Sequence, residues 1–142
     1  PVAKAASWPV TDAEARKRCA SGVWDLMTPQ SPEKDRWATW FYYTQGSEAF
    51  KGDLYFYSVD HDLRGKLDQI PGDRIKVVML TGDYDYLTTP EDGRRTASQI
   101  KNAEFIEMVG IGHFPMSENY ELFREYLKEA LSIISKSNAM HP

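Results

Sequence analysis

The sequence predicts an α/β fold in which a helical region precedes a parallel strand–helix–strand–helix unit. Residues 75–80 (IKVVML) form a short β-branched run that stops before Gly82, which is typical of a strand buried on both faces. Residues 104–109 (EFIEMV) alternate as a second strand, with helix signals between the two. Such a connection is almost always a right-handed crossover, so both strands should point the same way.

Capping and periodicity signals predict the helices of the first half. Thr11 and Glu14 form a capping box at the start of an apolar-periodic segment over residues 12–27. Ser31 is expected to cap a second helix. The apolar face of that helix consists of Trp37, Trp40, Phe41 and Thr44. Short, interrupted helices are expected from residue 47 to residue 70, so residues 1–70 are predicted as one helical region.

The second half begins at a turn signal, Pro71-Gly72, and residues 71–137 are predicted to hold the βαβα unit. Thr89 should cap the connecting helix, which is expected to run to about Lys101. Ser117 should cap the last helix. The buried stripe of this helix is expected to be Phe123, Leu127, Ala130, Leu131 and Ile134.

Composition excludes several classes of protein. The 142 residues carry 17 Lys and Arg against 21 Asp and Glu, a net charge of −4, without a basic stripe that would neutralise phosphates, so no nucleic-acid partner is expected. No apolar run approaches the ~18 residues of a membrane span, so no membrane partner is expected either. The single cysteine, Cys19, excludes an internal disulfide and favours a reducing compartment, the cytoplasm, while a secreted protein without disulfides is the alternative.

An aspartate and a histidine each follow one of the predicted strands. Asp85 lies in residues 81–86 (TGDYDY), and His113 lies in residues 110–115 (GIGHFP). The carboxyl ends of parallel strands share one edge of a sheet, so we expect these side chains to lie close together. A carboxylate that accepts from an imidazole N–H fixes the tautomer and leaves the other ring nitrogen to take a proton from a nucleophile. The sequence therefore predicts a catalytic pair.

Each of these residues also has a simpler interpretation. An aspartate after a strand usually accepts backbone hydrogen bonds, and a histidine beside an aromatic is often an ordinary loop residue. Their joint placement after adjacent parallel strands favours catalysis. Asp83 is a competing acid, and we assign it to holding the turn. Gly110 and Gly112 should let the backbone bring the histidine ring close to the neighbouring loop.

Residues 75–134 resemble the C-terminal portion of an α/β-hydrolase. In that family a strand ending in G-x-x-D, here Gly82 to Asp85, supplies the catalytic acid. A later G-x-G-H-x-P segment, here Gly110 to Pro115, supplies the catalytic histidine. The resemblance implies that residues 1–70 are the helical cap that such enzymes insert before the acid-bearing strand. It also implies a Ser-His-Asp triad, with no metal or organic cofactor.

The nucleophile motif of that family, G-x-S-x-G, does not occur in this sequence. Ser21, Ser47 and Ser117 lack the flanking glycines and are more typical of helix or capping positions. We therefore expect the nucleophile on an N-terminal half of the same hydrolase, present as a separate or rejoined polypeptide. An unpaired edge on a two-stranded parallel sheet also favours such a partner. Residues 138–142 are predicted as a tail, either tag-derived, part of a rejoined segment or a chance sequence.

Aromatic residues are dense in the predicted cap, where most of them should pack against one another. Five residues are candidates to contact an apolar acyl or alcohol group. These are Trp24, Met27, Trp40, Tyr86 and Phe114. Asp60, His61 and Asp62 could suggest a metal, but adjacent residues cannot all point at one ion, and solvation explains them better.

The sequence thus predicts a serine-type hydrolase that cleaves a small apolar carboxylic ester, lactone or thioester through an acyl-enzyme. Several alternatives use the same fold. They are a C–C bond hydrolase, a cofactor-free haloperoxidase, a dehalogenase with an aspartate nucleophile, and a ligand-binding protein without catalysis. A stand-alone interaction module is a further alternative, which the unpaired sheet edge disfavours.

Overall fold

The computed structural model describes residues 12–26, 31–46, 49, 52–53, 55–56 and 62–140. The chain divides into two units, Pro1–Leu63 and Arg64–Pro142. The boundary that the sequence predicts, after residue 70, lies inside the second unit. That unit begins with a turn and a short 3₁₀ helix, Leu67–Gln69. Within the described residues no helix is both long enough and apolar enough to cross a bilayer.

The first unit contains the two predicted helices, α1 (Asp12–Leu26) and α2 (Glu33–Gln45). They pack against each other through three indole rings. The ring centroids of Trp24 and Trp37 are 4.8 Å apart, and those of Trp37 and Trp40 are 5.7 Å apart. The Trp40 indole N–H also donates to the carbonyl of Ala20, at 2.8 Å. The predicted apolar face of α2 is only partly buried, because Trp37 and Phe41 are exposed.

The start of α2 differs from the prediction. Pro32, not Ser31, occupies the N-cap position, and its carbonyl accepts the N–H groups of Asp35 and Arg36 at 2.9 and 3.0 Å. The Ser31 hydroxyl is buried and has no hydrogen-bond partner among the described residues. Proline suits this position because its fixed φ is compatible with the extended N-cap conformation. Thr11, the predicted cap of α1, lies outside the described residues.

In the second unit, β1 (Val78–Gly82) and β2 (Glu104–Met108) form a parallel pair, which confirms the predicted strand direction. The register runs from Val78 opposite Glu104 to Gly82 opposite Met108. β1 starts later than predicted, because the Pro71 carbonyl accepts the N–H groups of Arg74 and Ile75 in a turn. That turn removes Ile75 from the strand.

Burial of β1 on both faces is confirmed only at its carboxyl end. Thr81 and Gly82 are buried, while Val78, Met79 and Leu80 are half-buried. Among the described residues this sheet has two strands, and such a narrow sheet leaves part of its surface uncovered. The buried end is the one that leads into the aspartate turn.

The connecting helix, α3 (Pro90–Ala97), has the predicted cap, because the Thr89 hydroxyl oxygen accepts the Asp92 N–H at 3.3 Å. The helix ends before Lys101. The N–H of Gln99 and that of Ile100 each bond three residues back, and Asn102 adopts a left-handed φ of 57°. These tight turns carry the chain directly into β2.

Two helices follow β2, α4 (Pro115–Glu118) and α5 (Tyr120–Met140). The prediction that Ser117 caps the last helix is wrong, because Ser117 lies within α4. Asn119 caps α5 instead, and its side-chain oxygen accepts the Leu122 N–H at 3.0 Å. The helix extends through Met140, so the first part of the predicted tail is helical.

The predicted buried stripe of α5 is only partly correct. Ala130 is buried, and Phe123 and Ile134 are half-buried. Leu127 and Leu131 are exposed, the latter by 53%. The helix packs against a two-stranded sheet, which covers a narrower strip of its surface than a full sheet would.

Candidate active site

Asp85 lies in the turn after β1, and its carboxylate is fixed from several directions. One oxygen, Oδ1, accepts the backbone N–H groups of Leu87 and Thr88 at 2.9 and 3.1 Å. The other oxygen, Oδ2, accepts the Thr88 hydroxyl at 2.7 Å. The residue is 6% exposed. These bonds leave the carboxylate little freedom to rotate.

The surroundings of Asp85 favour its ionised form. Burial raises the pKa of this carboxyl, but the hydrogen bonds from Thr88, His113 and the backbone of the turn outweigh that effect. The pKa is therefore lowered below its ordinary value of 3.8. At neutral pH the group is an anion that can only accept hydrogen bonds.

His113 lies after β2 and contacts this anion directly. Its Nδ1 is 2.9 Å from Oδ2 of Asp85. Because the carboxylate can only accept, the neutral ring carries its proton on Nδ1, and Nε2 is left with a lone pair. The side chain of His113 is 24% exposed, and the Phe114 ring packs edge-on against the imidazole at a centroid distance of 5.1 Å. The structure thus brings the two predicted residues together.

The histidine loop, residues 110–114, is held against the end of β1. Gly110 adopts a left-handed φ of 80°, which turns the chain out of β2. At Gly82 an added Cβ would lie 2.2 Å from the carbonyl oxygen of Ile111, so backbone meets backbone there. Ile111 is fully buried. The close approach places the two segments that carry the pair side by side.

Sequence reasoning missed a buried glutamate behind the histidine. Glu118, 5% exposed, accepts the N–H groups of Gly112 and Phe114 at 2.7 and 3.3 Å. It also accepts the Tyr84 hydroxyl at 2.5 Å. A possible signal was an acidic residue five positions after the histidine, in the first turn after a proline. That pattern is typical of an ordinary helix start, and nothing in it indicates that the glutamate is buried.

Asp83 does not have the role that the sequence predicts. Its backbone N–H donates to the Met108 carbonyl at 3.1 Å, which links the ends of the two strands. Its side-chain Oδ1 is buried and has no hydrogen-bond partner among the described residues. The turn is held instead by the Asp85 carboxylate, so one residue both shapes the turn and contacts the histidine.

The other predicted site residues occupy different places. Tyr86, 61% exposed, follows Asp85, and Phe114 is buried beside the His113 ring. Trp24 and Trp40 belong to the indole cluster of the first unit. Met27 lies outside the described residues.

The serines and the metal alternative can be placed only in part. The Ser21 hydroxyl donates to the Lys17 carbonyl within α1, at 2.9 Å, and Ser117 is buried in α4. Ser47, Asp60 and His61 lie outside the described residues. In the part of the chain that the structure describes, no group of three or more ligating side chains could hold a metal ion.

A parallel βαβα unit with an acid and a histidine at the carboxyl edge of its strands is the arrangement of an α/β-hydrolase fold, and comparison with solved structures supports this fold. The chain is similar to the crystal structure of bromoperoxidase from Bacillus anthracis, an α/β-hydrolase-fold enzyme, with a TM-score of 0.65 and 19% identity. The match covers 82% of this chain and 44% of that chain, so this chain spans less than half of the bromoperoxidase. No family model and no curated protein matches the sequence.

Proposed function

We propose that this chain is the C-terminal part of a serine-type α/β-hydrolase, and that it supplies the acid and the histidine of the triad. The observation that carries the proposal is the 2.9 Å contact between Nδ1 of His113 and the buried carboxylate of Asp85. An anionic acceptor on Nδ1 fixes the tautomer that a general base needs. It also stabilises the imidazolium that forms when Nε2 takes a proton.

The proposed reaction is acyl transfer. His113 takes the proton of a serine hydroxyl through Nε2 while the serine oxygen attacks the substrate carbonyl. The protonated ring then gives this proton to the leaving alcohol or thiol, and an acyl-serine remains. Water then attacks the acyl group while His113 takes one of its protons, and the ring gives that proton to the leaving serine oxygen, which releases the acid and restores the serine. Asp85 stays ionised throughout, in keeping with its lowered pKa.

The serine comes from polypeptide outside these 142 residues, on an N-terminal half that is separate from this chain or joined to it. The absence of G-x-S-x-G from the sequence supports this part of the proposal. The span of the structural match supports it too, because 44% of the bromoperoxidase is covered. The β-branched apolar sequence that contains β1 is also typical of strands in wider parallel sheets, although the first three residues of β1 are only half-buried here.

The substrate proposed is a small, fairly apolar carboxylic ester, lactone or thioester. Tyr86 is exposed next to Asp85, and Phe114 packs on the His113 ring, so both stand close to the reacting groups. Residues 1–70 act as the cap in this proposal. Trp24, Met27 and Trp40 are its candidates for contacting the apolar part of the substrate.

A cofactor-free haloperoxidase is the second candidate, because a solved structure to which this chain is similar is a bromoperoxidase. The same Asp-His pair would serve it. Hydrogen peroxide would replace water as the second nucleophile and release a peracid, which would oxidise bromide to hypobromous acid and leave the carboxylate. Comparing ester turnover with peroxide-dependent bromination therefore separates the two candidates without any change to the site.

Substitution of His113 tests the proposal. The complete protein is purified through a tag on this chain, together with any polypeptide bound to it, and hydrolysis of p-nitrophenyl acetate and butyrate is measured. His113→Ala should lower turnover by about 10⁴-fold, the scale of triad members. Asp83→Ala is the matched control beside the site, and it should keep most of the activity. Near-normal turnover of His113→Ala would overturn the proposal.

A further inference from the structure

The carboxylate of Glu118 binds the backbone on both sides of the catalytic histidine. The N–H of Gly112, one residue before His113, donates to Oε2 at 2.7 Å. The N–H of Phe114, one residue after it, donates to Oε1 at 3.3 Å. The carboxylate is buried, so these bonds form away from water, where losing an acceptor costs most. One side chain thus fixes two peptide groups, Ile111–Gly112 and His113–Phe114, that lie before and after the histidine side chain.

The same carboxylate connects this loop to the aspartate turn. Its Oε2 accepts the hydroxyl of Tyr84 at 2.5 Å, and Tyr84 directly precedes Asp85 in the chain. Gly112 also packs closely against both side chains, because a Cβ added there would lie 2.6 Å from the Tyr84 ring and 2.8 Å from Glu118 Oε1. Glu118 therefore contacts both segments that carry the catalytic pair.

We propose that Glu118 is the positioning residue of the acid–histidine pair, and that it sets the distance between His113 and Asp85 through Gly112, Phe114 and Tyr84. The inference rests on the proposed function for its catalytic consequence. Three donors converge on Glu118, and the two oxygens of its carboxyl group accept all three. A glutamine of the same shape would turn an amide donor toward one of these donors.

Loss of a positioning residue and loss of a purely structural residue should have different effects on the reaction rate. Glu118 touches no group that reacts, so its loss should leave substrate binding almost unchanged. A displaced imidazole should slow proton transfer, because small errors in the placement of a catalytic group cost up to about 100-fold in rate. A merely structural residue would change stability and would leave the rate of the folded fraction intact.

The first readout is the NMR resonance of the proton on Nδ1 of His113, which points to the Asp85 carboxylate. In the complete protein labelled with ¹⁵N-histidine, the Nδ1–H of His113 should give a downfield proton resonance, identified by its loss in His113→Ala. Glu118→Gln should shift or broaden this resonance. Glu107→Gln is the matched control, because Glu107 lies on β2 and pairs with Arg94 at 2.7 Å on the surface. It should leave the resonance unchanged.

The second readout is kinetic, with p-nitrophenyl butyrate as the substrate. We expect Glu118→Gln to lower kcat by about 10- to 100-fold with KM within about twofold, and Glu107→Gln to change neither. Tyr84→Phe removes one donor and keeps the ring, and it should lower kcat by about 3- to 10-fold. It serves as the test if Glu118→Gln does not fold.

The outcomes separate this inference from the proposed function. If His113→Ala keeps its turnover, the proposed function fails. If His113→Ala is inactive while Glu118→Gln keeps both the wild-type kcat and the wild-type resonance, the positioning role of Glu118 is overturned and the proposed function stands. If Glu118→Gln does not fold, an unchanged kcat and resonance in Tyr84→Phe overturn the positioning role.

Discussion

At the scale of single residues, Asp85 combines two roles that sequence reasoning treats as alternatives. Its carboxylate accepts two backbone N–H groups of its own turn and also accepts from His113. The turn bonds hold the acid still, and the histidine bond uses that fixed position. In the proposed function, the hydrogen bonds that hold the turn therefore also position the catalytic acid.

The proposal that Asp85 is the catalytic acid gives a direct prediction. Asp85→Asn keeps the size of the side chain but presents an amide, which allows the wrong histidine tautomer and no longer stabilises the imidazolium. Ester turnover should fall by about 10⁴-fold. Asp83→Asn is the matched control two residues away and should keep most of the turnover. If Asp83→Asn loses ester turnover while Asp85→Asn keeps it, the acid is Asp83.

The lowered pKa of Asp85 makes part of the stability depend on pH. Because the folded pKa lies below the ordinary value of 3.8, the ionised group stabilises the fold above that value, and this contribution is lost as the pH falls through the folded pKa. Urea unfolding of the wild type and Asp85→Asn should show the largest gap in the free energy of unfolding near neutral pH. The gap should narrow below about pH 4. A gap that does not change with pH would contradict the lowered pKa.

At the scale of elements, alanine substitution of two closely packed glycines tests whether displacement of the histidine loop lowers activity. Gly112→Ala would place a methyl group 2.6 Å from the Tyr84 ring, and Gly93→Ala would place one 2.7 Å from the Phe105 ring, between α3 and the sheet. Both should destabilise the second unit by about 1–3 kcal/mol, measured by urea unfolding. Only Gly112→Ala should also lower kcat in the folded protein. Equal kcat values for the two variants would show that the loop tolerates displacement.

Local signals in the sequence predicted β1, α3, β2 and α5 and their order, but not the short helix α4 and not all of the element ends. Thr89 caps α3 as predicted, because a cap depends on residues within one turn. β1 begins at Val78 because a turn after Pro71 competes for the start of the apolar run. Asn119 displaces Ser117 as the cap of α5, because the chain first forms the short helix α4.

The meeting of Asp85 and His113 was predictable from strand order, since it depends only on which edge of a parallel sheet the two strands share. The burial of Glu118 was not predictable in this way. Its burial depends on the approach of the loop after β2 to the end of β1, and that contact joins residues distant in the sequence. Spacing along the chain carries no signal for it.

At the scale of the whole molecule, the chain matches part of a longer enzyme with an α/β-hydrolase fold, and its second unit holds two strands of a parallel sheet in the described residues. Its edge strands and the exposed leucines of α5 leave surface that a larger core would cover. The acid–histidine pair is already formed without that core. In the proposed function, the nucleophile from outside this chain therefore needs only to reach Nε2 of His113.

Labelling of the complete protein with an alkyl fluorophosphonate, followed by peptide mapping, tests this account most directly. We expect one labelled serine, in a polypeptide segment outside these 142 residues, and labelling that His113→Ala reduces strongly. A labelled serine within the 142 residues, the absence of any labelled serine, or labelling that does not depend on His113 would contradict the proposal that Asp85 and His113 activate a serine supplied from outside this chain.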